Sequence, residues 1–365
     1  MIRRYKIMQN INLFKVRMSD NAAYEVAKVL NSGYIGQGSK VEELEDKLKN
    51  ELRLNTRPIT VNSCTSAIDL ALELCGVDYN SEVISTCQTC YASNAPIISK
   101  RATIKWADID PITGLIDPVS VEKLITNKTK AIVAVDWAGK FCDYKKLKSF
   151  GIPVIEDAAH VWDVFEHQEE RGDYICYSFQ AIKFLTGGDG GLLITPEDKY
   201  KQAKLMRWYG LDRDAGKSFR CQHDIVYSGY KYHMNDIAAT IILSNIDESS
   251  NSVKCSRENS KYYIEHINNK KVILPEWDET CSYWLFSMHV VDGQKQRFMQ
   301  YLTEHGIESS PVHYRNDDYT CTKNFKVSGL HGVDSFTQTQ VCIPNGWWLS
   351  EYERNYIVDV INRFE

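Results

Sequence analysis

Between residues 60 and 210, short apolar and β-branched runs alternate with stretches whose apolar positions recur at helical spacing. The strand-like runs are EVIST, ATIKWADI, KAIVAVDW, IPVIEDAA, DYICYSF and GGLLIT. Alternation of this kind predicts a mostly parallel sheet covered by helices on both faces, with ligands in the crevice beyond the carboxyl ends of the strands. After about residue 240 the pattern changes. NDIAATIILSNIDESSNSVKCSRENSKYYIEHI reads as one long helix, and SYWLFSMHVV, QRFMQYLTEHGIES and EYERNYIVDVINRF as strands and helices of a smaller unit. The expectation is an α/β fold with a large domain over 1–240 and a small C-terminal α+β domain over 241–365.

Composition narrows the class of partner. The chain has 365 residues, 43% hydrophobic and 25% charged, as a soluble globular protein of roughly two domains would. Its net charge of −5, without any lysine- or arginine-rich block, points away from nucleic acid and anionic membranes and towards a small molecule. MIRRYKIMQNINLF has no apolar core of signal-peptide type, and no run reaches transmembrane length, so a cytoplasmic location is expected. The eleven cysteines are expected to be reduced thiols. Cys87 and Cys90 have CxxC spacing but no second pair to complete a zinc site, and no metal is expected.

The run YSFQAIKFLTGGDGGLLIT, Tyr177 to Thr195, sets Lys183 between a strand and four glycines. Such a lysine is either solvated in a loop or neutralised, because burying an unpaired ammonium is costly. Three other features bear on the choice. In VNSCTSAIDLALELCG a strand ends at Asn62 and a helix follows, with Ser63 or Thr65 as its cap. A helix start rich in hydroxyls and free N–H groups favours a phosphate. In PVIEDAAH an apolar strand runs into Glu156 and Asp157, with His160 close behind, and a carboxylate there needs a cation or a donor. Ser178 and Gln180 end the next strand, and GGDGG lets the backbone double back after Lys183. Taken singly, each has a plain reading as a helix cap or a turn. Together they supply a lysine to form an imine with an aldehyde, an aspartate for a pyridinium nitrogen, and hydroxyls for a phosphate. That set fits pyridoxal 5′-phosphate.

In ten ordered stretches the chain resembles the DegT/DnrJ/EryC1/StrS family of sugar aminotransferases, which have the aspartate aminotransferase fold, fold type I. Among them are SGYIGQGSKVEELEDKL, NSCTSAIDLAL, VIEDAAH, YSFQAIKFLTGGDGG, MRWYGLDR, GYKYHMNDIAA, HGIESSPVHYRND and IPNGWWLSEYERNYIVD. The resemblance implies Lys183 as the Schiff-base lysine, Asp157 as partner of the pyridinium nitrogen and His160 near the cofactor's phenolic oxygen. It puts Thr65, Ser66 and Ser178 on the phosphate. It also implies a homodimer in which GYKYHM, with Lys231, reaches the partner's phosphate site. Three positions depart from the usual pattern: Cys64 for glycine, Cys90 beside Tyr91 for an aromatic that stacks on the ring, and Lys231 for asparagine. Cys90 offers a polarisable sulfur with less contact area, and Lys231 keeps a donor while adding charge.

Relatives with histidine in place of the lysine are dehydratases. Here the lysine is present, so the resemblance implies transamination from L-glutamate to a nucleotide-linked ketosugar, with Lys183 carrying protons. The VHYRND and IPNGWW stretches look most like 4-aminotransferases of the viosamine and perosamine type, which act on 4-keto-6-deoxysugars. His313, Tyr314 and Arg315 are then candidates for the sugar or diphosphate, or else braces of the small domain. A 3-aminotransferase, an amino-acid aminotransferase and a non-catalytic cofactor-binding regulator stay open as alternatives. GYIGQG, at Gly33 to Gly38, lacks the full GxGxxG pattern and follows a helix-like segment, which argues against a nicotinamide oxidoreductase.

Overall fold

The computed structural model describes residues 10–163, 170–213 and 224–365. Seven strands form the main sheet: β1 (Ile59–Val61), β2 (Glu82–Thr86), β3 (Thr103–Ala107), β4 (Thr129–Val135), β5 (Val154–Asp157), β6 (Tyr174–Ser178) and β7 (Gly191–Ile194). Their order is β1-β7-β6-β5-β4-β2-β3. From β2 to β6 every pairing is parallel, whereas β7 is antiparallel to both β6 and β1. Each run read as a strand in the sequence falls on one of these strands, and the mostly parallel sheet is as expected.

The period of two along each strand divides the interior. In β4, Ala131 and Val133 join one apolar core while Ile132 and Ala134 join a second. The main-sheet helices are α1 (Ala22–Ser32), α2 (Ser39–Glu51), α3 (Cys64–Leu74), α4 (Tyr91–Ser99), α5 (Pro118–Leu124), α6 (Tyr144–Lys148), α7 (Glu197–Met206) and α8 (Asp236–His266). Ala67, Leu70 and Ala71 of α3 and Ile97 of α4 cover the first face. Val41 and Leu44 of α2, Leu147 of α6, and Ile242 and Ile246 of α8 cover the other.

The long helix expected from the sequence is a single helix, α8, of 31 residues. Its far end delivers Tyr263 to a third core, built on the antiparallel sheet of β8 (Val272–Ile273), β9 (Phe286–Val290) and β10 (Gln340–Ile343). Around that sheet lie α9 (Lys295–Glu304), α10 (His331–Thr339) and α11 (Glu351–Asn362). Packing crosses residue 240 in both directions: Ile11 sits in the third core, and Trp284, Leu285 and Phe336 belong to the first. No helix among the described residues is long and apolar enough to cross a membrane.

Candidate active site

The ends of β1, β5 and β6 and the start of β7 meet at one edge of the sheet. Gly191 pairs with both Ser178 and Val61. A Cβ at Gly191 would lie 2.4 Å from the carbonyl carbon of Ser63 and 2.5 Å from Cys64 N, so glycine is what lets α3 start directly over β7. Ser63 caps α3, its Oγ accepting from Ser66 N at 3.1 Å, and Ser66 Oγ donates to Asn62 Oδ1 at 2.6 Å. Thr65 and Ser178 are half-buried beside this helix start. Of the two capping choices left by the sequence, the structure uses Ser63.

Asp157 is the last residue of β5 and is buried. It accepts from Ser93 Oγ at 2.6 Å, Ala159 N at 3.1 Å and Cys64 Sγ at 3.8 Å. Burial pushes its pKa up, against the pull of those donors and of the Lys183 charge. The Cys64 thiol is pushed well above its ordinary pKa by burial and then by Asp157, so it stays protonated and donates. This gives a physical reason for a cysteine at that position.

Lys183 follows a turn closed by its own N–H to Gln180 O at 2.9 Å, and the chain returns through Gly188, whose φ of +79° suits glycine. Its Nζ stands 3.6 Å from the centre of the Trp284 ring. Burial lowers the amine's pKa to about 8, with the Asp157 charge acting in the opposite direction. No hydrogen-bond acceptor or ion-pair partner for Nζ is found among the described residues.

His160 is buried, accepts from Ala138 N through Nδ1 at 3.3 Å and stacks on Trp284 at 4.1 Å. Burial, then the Lys183 charge, holds its pKa well below the ordinary value. His313 faces it with rings 5.9 Å apart and within 11° of parallel. Burial and Lys183 lower the His313 pKa to about 4, and its buried Nε2 has no hydrogen-bond partner among the described residues. Asn316 ties this segment to the start of α4, donating to Thr89 O and accepting from Asn94 Nδ2, both at 2.8 Å.

The remaining candidates are more dispersed. Cys90 occupies the N-cap position of α4, half-buried, and Tyr91 packs edge-on against Tyr319 at 5.5 Å. Tyr314 is exposed, and Lys231 lies exposed on the surface beside Trp208. Arg315 is engaged: Asp317 takes Nε and Nη2, each at 2.7 Å, and Asp334 takes Nη1 at 2.6 Å. Sequence reasoning missed Ser93, Asn316 and Trp284. Asn316 lies inside VHYRND, next to the residues singled out there, whereas Trp284 has no local signal and reaches the site across 102 positions, through an Nε1–H bond to Ile182 O.

A mostly parallel sheet whose carboxyl edge presents a lysine, a buried aspartate and a hydroxyl-lined helix start has the make-up of a fold type I aminotransferase. The chain belongs to the DegT/DnrJ/EryC1/StrS aminotransferase family, matching it over residues 17–362. It is 34% identical to AtS13 from Actinomadura melliaura, covering 99% of this chain and 100% of that one, with a TM-score of 0.92. It is 31% identical to the sugar aminotransferase CalS13 from Micromonospora echinospora, with 96% and 99% covered and a TM-score of 0.88. Spr1654 from Streptococcus pneumoniae, solved in its PLP form, is 26% identical, with 97% of this chain and 98% of that one covered and a TM-score of 0.85. The protein is thus a sugar aminotransferase, and pyridoxal phosphate is its cofactor.

Proposed function

We propose that this enzyme moves an amino group from L-glutamate to C4 of a nucleotide-linked 4-keto-6-deoxysugar, as a homodimer with shared active sites. The observation that carries the reading is the Lys183 amine, without an acceptor among the described residues and with its pKa lowered to about 8, within electrostatic reach of the buried Asp157. The residues fit the cofactor: an aspartate that burial disfavours as an anion gains from a cationic ring nitrogen, and an amine whose pKa is lowered to about 8 gives up its proton to form an imine more readily than a solvated lysine.

When bound, pyridoxal phosphate supplies an electron sink for the carbon that loses or gains a proton. Lys183 would form the covalent link and, when free of it, would move the proton at the reacting carbon. Asp157 would keep the ring nitrogen protonated, with Ser93 and Cys64 fixing its carboxylate. The start of α3, with Thr65 and Ser66, and Ser178 across from Gly191 would hold the phosphate, and Lys231 would serve the phosphate site of the neighbouring subunit. His160, neutral at pH 7, would meet the phenolic oxygen, and Cys90 would border the ring. His313 and Tyr314 contact the sugar or diphosphate. Arg315 can reach it by exchanging Asp334 for a substrate phosphate, a contact for which its planar fork is suited.

The 4-keto assignment rests on the likeness of VHYRND and IPNGWW to 4-aminotransferases. The test is amino transfer from L-glutamate to 4-keto and 3-keto sugars linked to UDP, dTDP and GDP, with the product carbon assigned by NMR. Amination at C3, or turnover of free amino-acid keto acids alone, overturns the substrate reading. Borohydride reduction should fix the cofactor on the Lys183 peptide, and fixation elsewhere overturns the site.

A further inference from the structure

We propose that Trp284 is a positioning residue of the reaction, its indole face holding the Lys183 ammonium whenever the lysine is not bonded to the cofactor. This rests on the reading of Lys183 as the attachment lysine, which must have a resting place during the intervals when its amine is released.

The indole contacts both the lysine and the residue before it. Nζ lies 3.6 Å from the ring centre, well inside the range of about 6 Å for a cation over an aromatic face. On the backbone side, Nε1–H donates to Ile182 O at 3.1 Å, so the ring is fastened to the residue immediately before the lysine. Two further rings fix its plane: His160 stacks at 4.1 Å with 22° between planes, and Phe14 at 5.3 Å with 27°. One side chain from the segment leading into β9 therefore sets the amine and the imidazole expected beside the cofactor in a fixed relation.

The other groups around the amine do not do this. Asp157 from β5 pulls on it electrostatically but has its contacts filled by Ser93, Ala159 and Cys64. Cys64 from α3 is a protonated thiol, and His160 and His313 are neutral at pH 7. Cys90, ahead of α4, acts on the amine's charge without a hydrogen bond to it. Burial works against the ammonium, whereas the negative face of an indole works for it, without offering the lone pair or charge that would make a competing acceptor. Trp284 thus keeps the released amine charged to a higher pH than burial alone would allow, and in one place.

The test reads the pKa of Lys183 directly in full-length enzyme reconstituted with pyridoxamine 5′-phosphate, in which the lysine amine stays unlinked. Acetylation by acetic anhydride across pH, quantified at Lys183 by mass spectrometry, gives the inflection. Trp284→Leu should lower it by about one unit, and Trp284→Phe, which keeps an aromatic face, by less. A role in burial alone would make the two variants alike, or raise the inflection as water enters, and either result overturns the proposal. If the leucine variant does not fold, enzyme with 5-fluorotryptophan at all eight tryptophans decides. Its weakened ring faces should again lower the Lys183 inflection, and no shift overturns the proposal. Borohydride trapping on the unsubstituted enzyme is scored separately. If the cofactor is fixed elsewhere, the attachment reading fails even where the indole effect on the amine stands.

Discussion

Replacing Lys183 by methionine should stabilise the cofactor-free protein at neutral pH. The amine's pKa falls from 10.5 to about 8 on folding, chiefly through burial. At about 1.4 kcal/mol per unit, that is roughly 3 kcal/mol of cost to the folded state. The sign follows from proton counting. Between pH 8 and 10.5 the unfolded chain holds more protons than the folded one, so stability rises with pH across that window and the full cost is present below it. Methionine has similar length and no charge, so it removes the cost. It also forfeits the contact with Trp284, worth about 0.5 to 2 kcal/mol. The net expectation at pH 7 is a gain of about 1 to 2 kcal/mol, a few degrees in Tm for a chain of this size. The assay is thermal unfolding of apo wild type and Lys183→Met at pH 7 and pH 10, followed by circular dichroism. The quantity of interest is the difference between the two proteins, because other titrating groups cancel in it. That difference should shrink or change sign by pH 10. A gap independent of pH, or one that widens as pH rises, refutes the argument that a buried ammonium is being relieved.

Three other experiments probe the rest of the site. Asp157→Asn should fold and lose most activity, since an amide cannot hold the ring proton; near-normal turnover would refute the role. Ser93→Ala removes the 2.6 Å donor to Asp157 and, at about 1.5 kcal/mol or more for a bond to a charged group, should weaken cofactor binding at least about tenfold. An unchanged cofactor titration would show that Asp157 does not depend on it. Mixed dimers of inactive Lys183→Ala and inactive Lys231→Glu chains should recover activity, because one of their two sites has an intact lysine from each chain. Confirmed subunit exchange without recovery would rule out a shared site.

The elements of this protein and part of its chemistry are local properties of the chain. Apolar blocks such as KAIVAVDW have to be buried on both faces, and β4 divides its residues between two cores for that reason alone. Asp157, Lys183 and a cap at Ser63 or Thr65 stand out as candidates because they lie at or just beyond the ends of regular elements, where a polar group must find a partner. Other features depend on which distant surfaces meet. Nothing near GLLI indicates that β7 runs against β6 and β1, and nothing near residue 11 assigns Ile11 to the core of the small sheet. The Arg315 fork reads as a diphosphate ligand in isolation, but folding brings it to Asp334 as well as to its neighbour Asp317. Trp284 is an unremarked core aromatic in the sequence; only the docking of the segment before β9 against the β6–β7 loop sets its ring under Lys183. Spacing along the chain encodes what one element must bury, whereas contacts across some hundred residues are chosen by the summed burial and hydrogen bonding of the whole fold, which no short stretch contains.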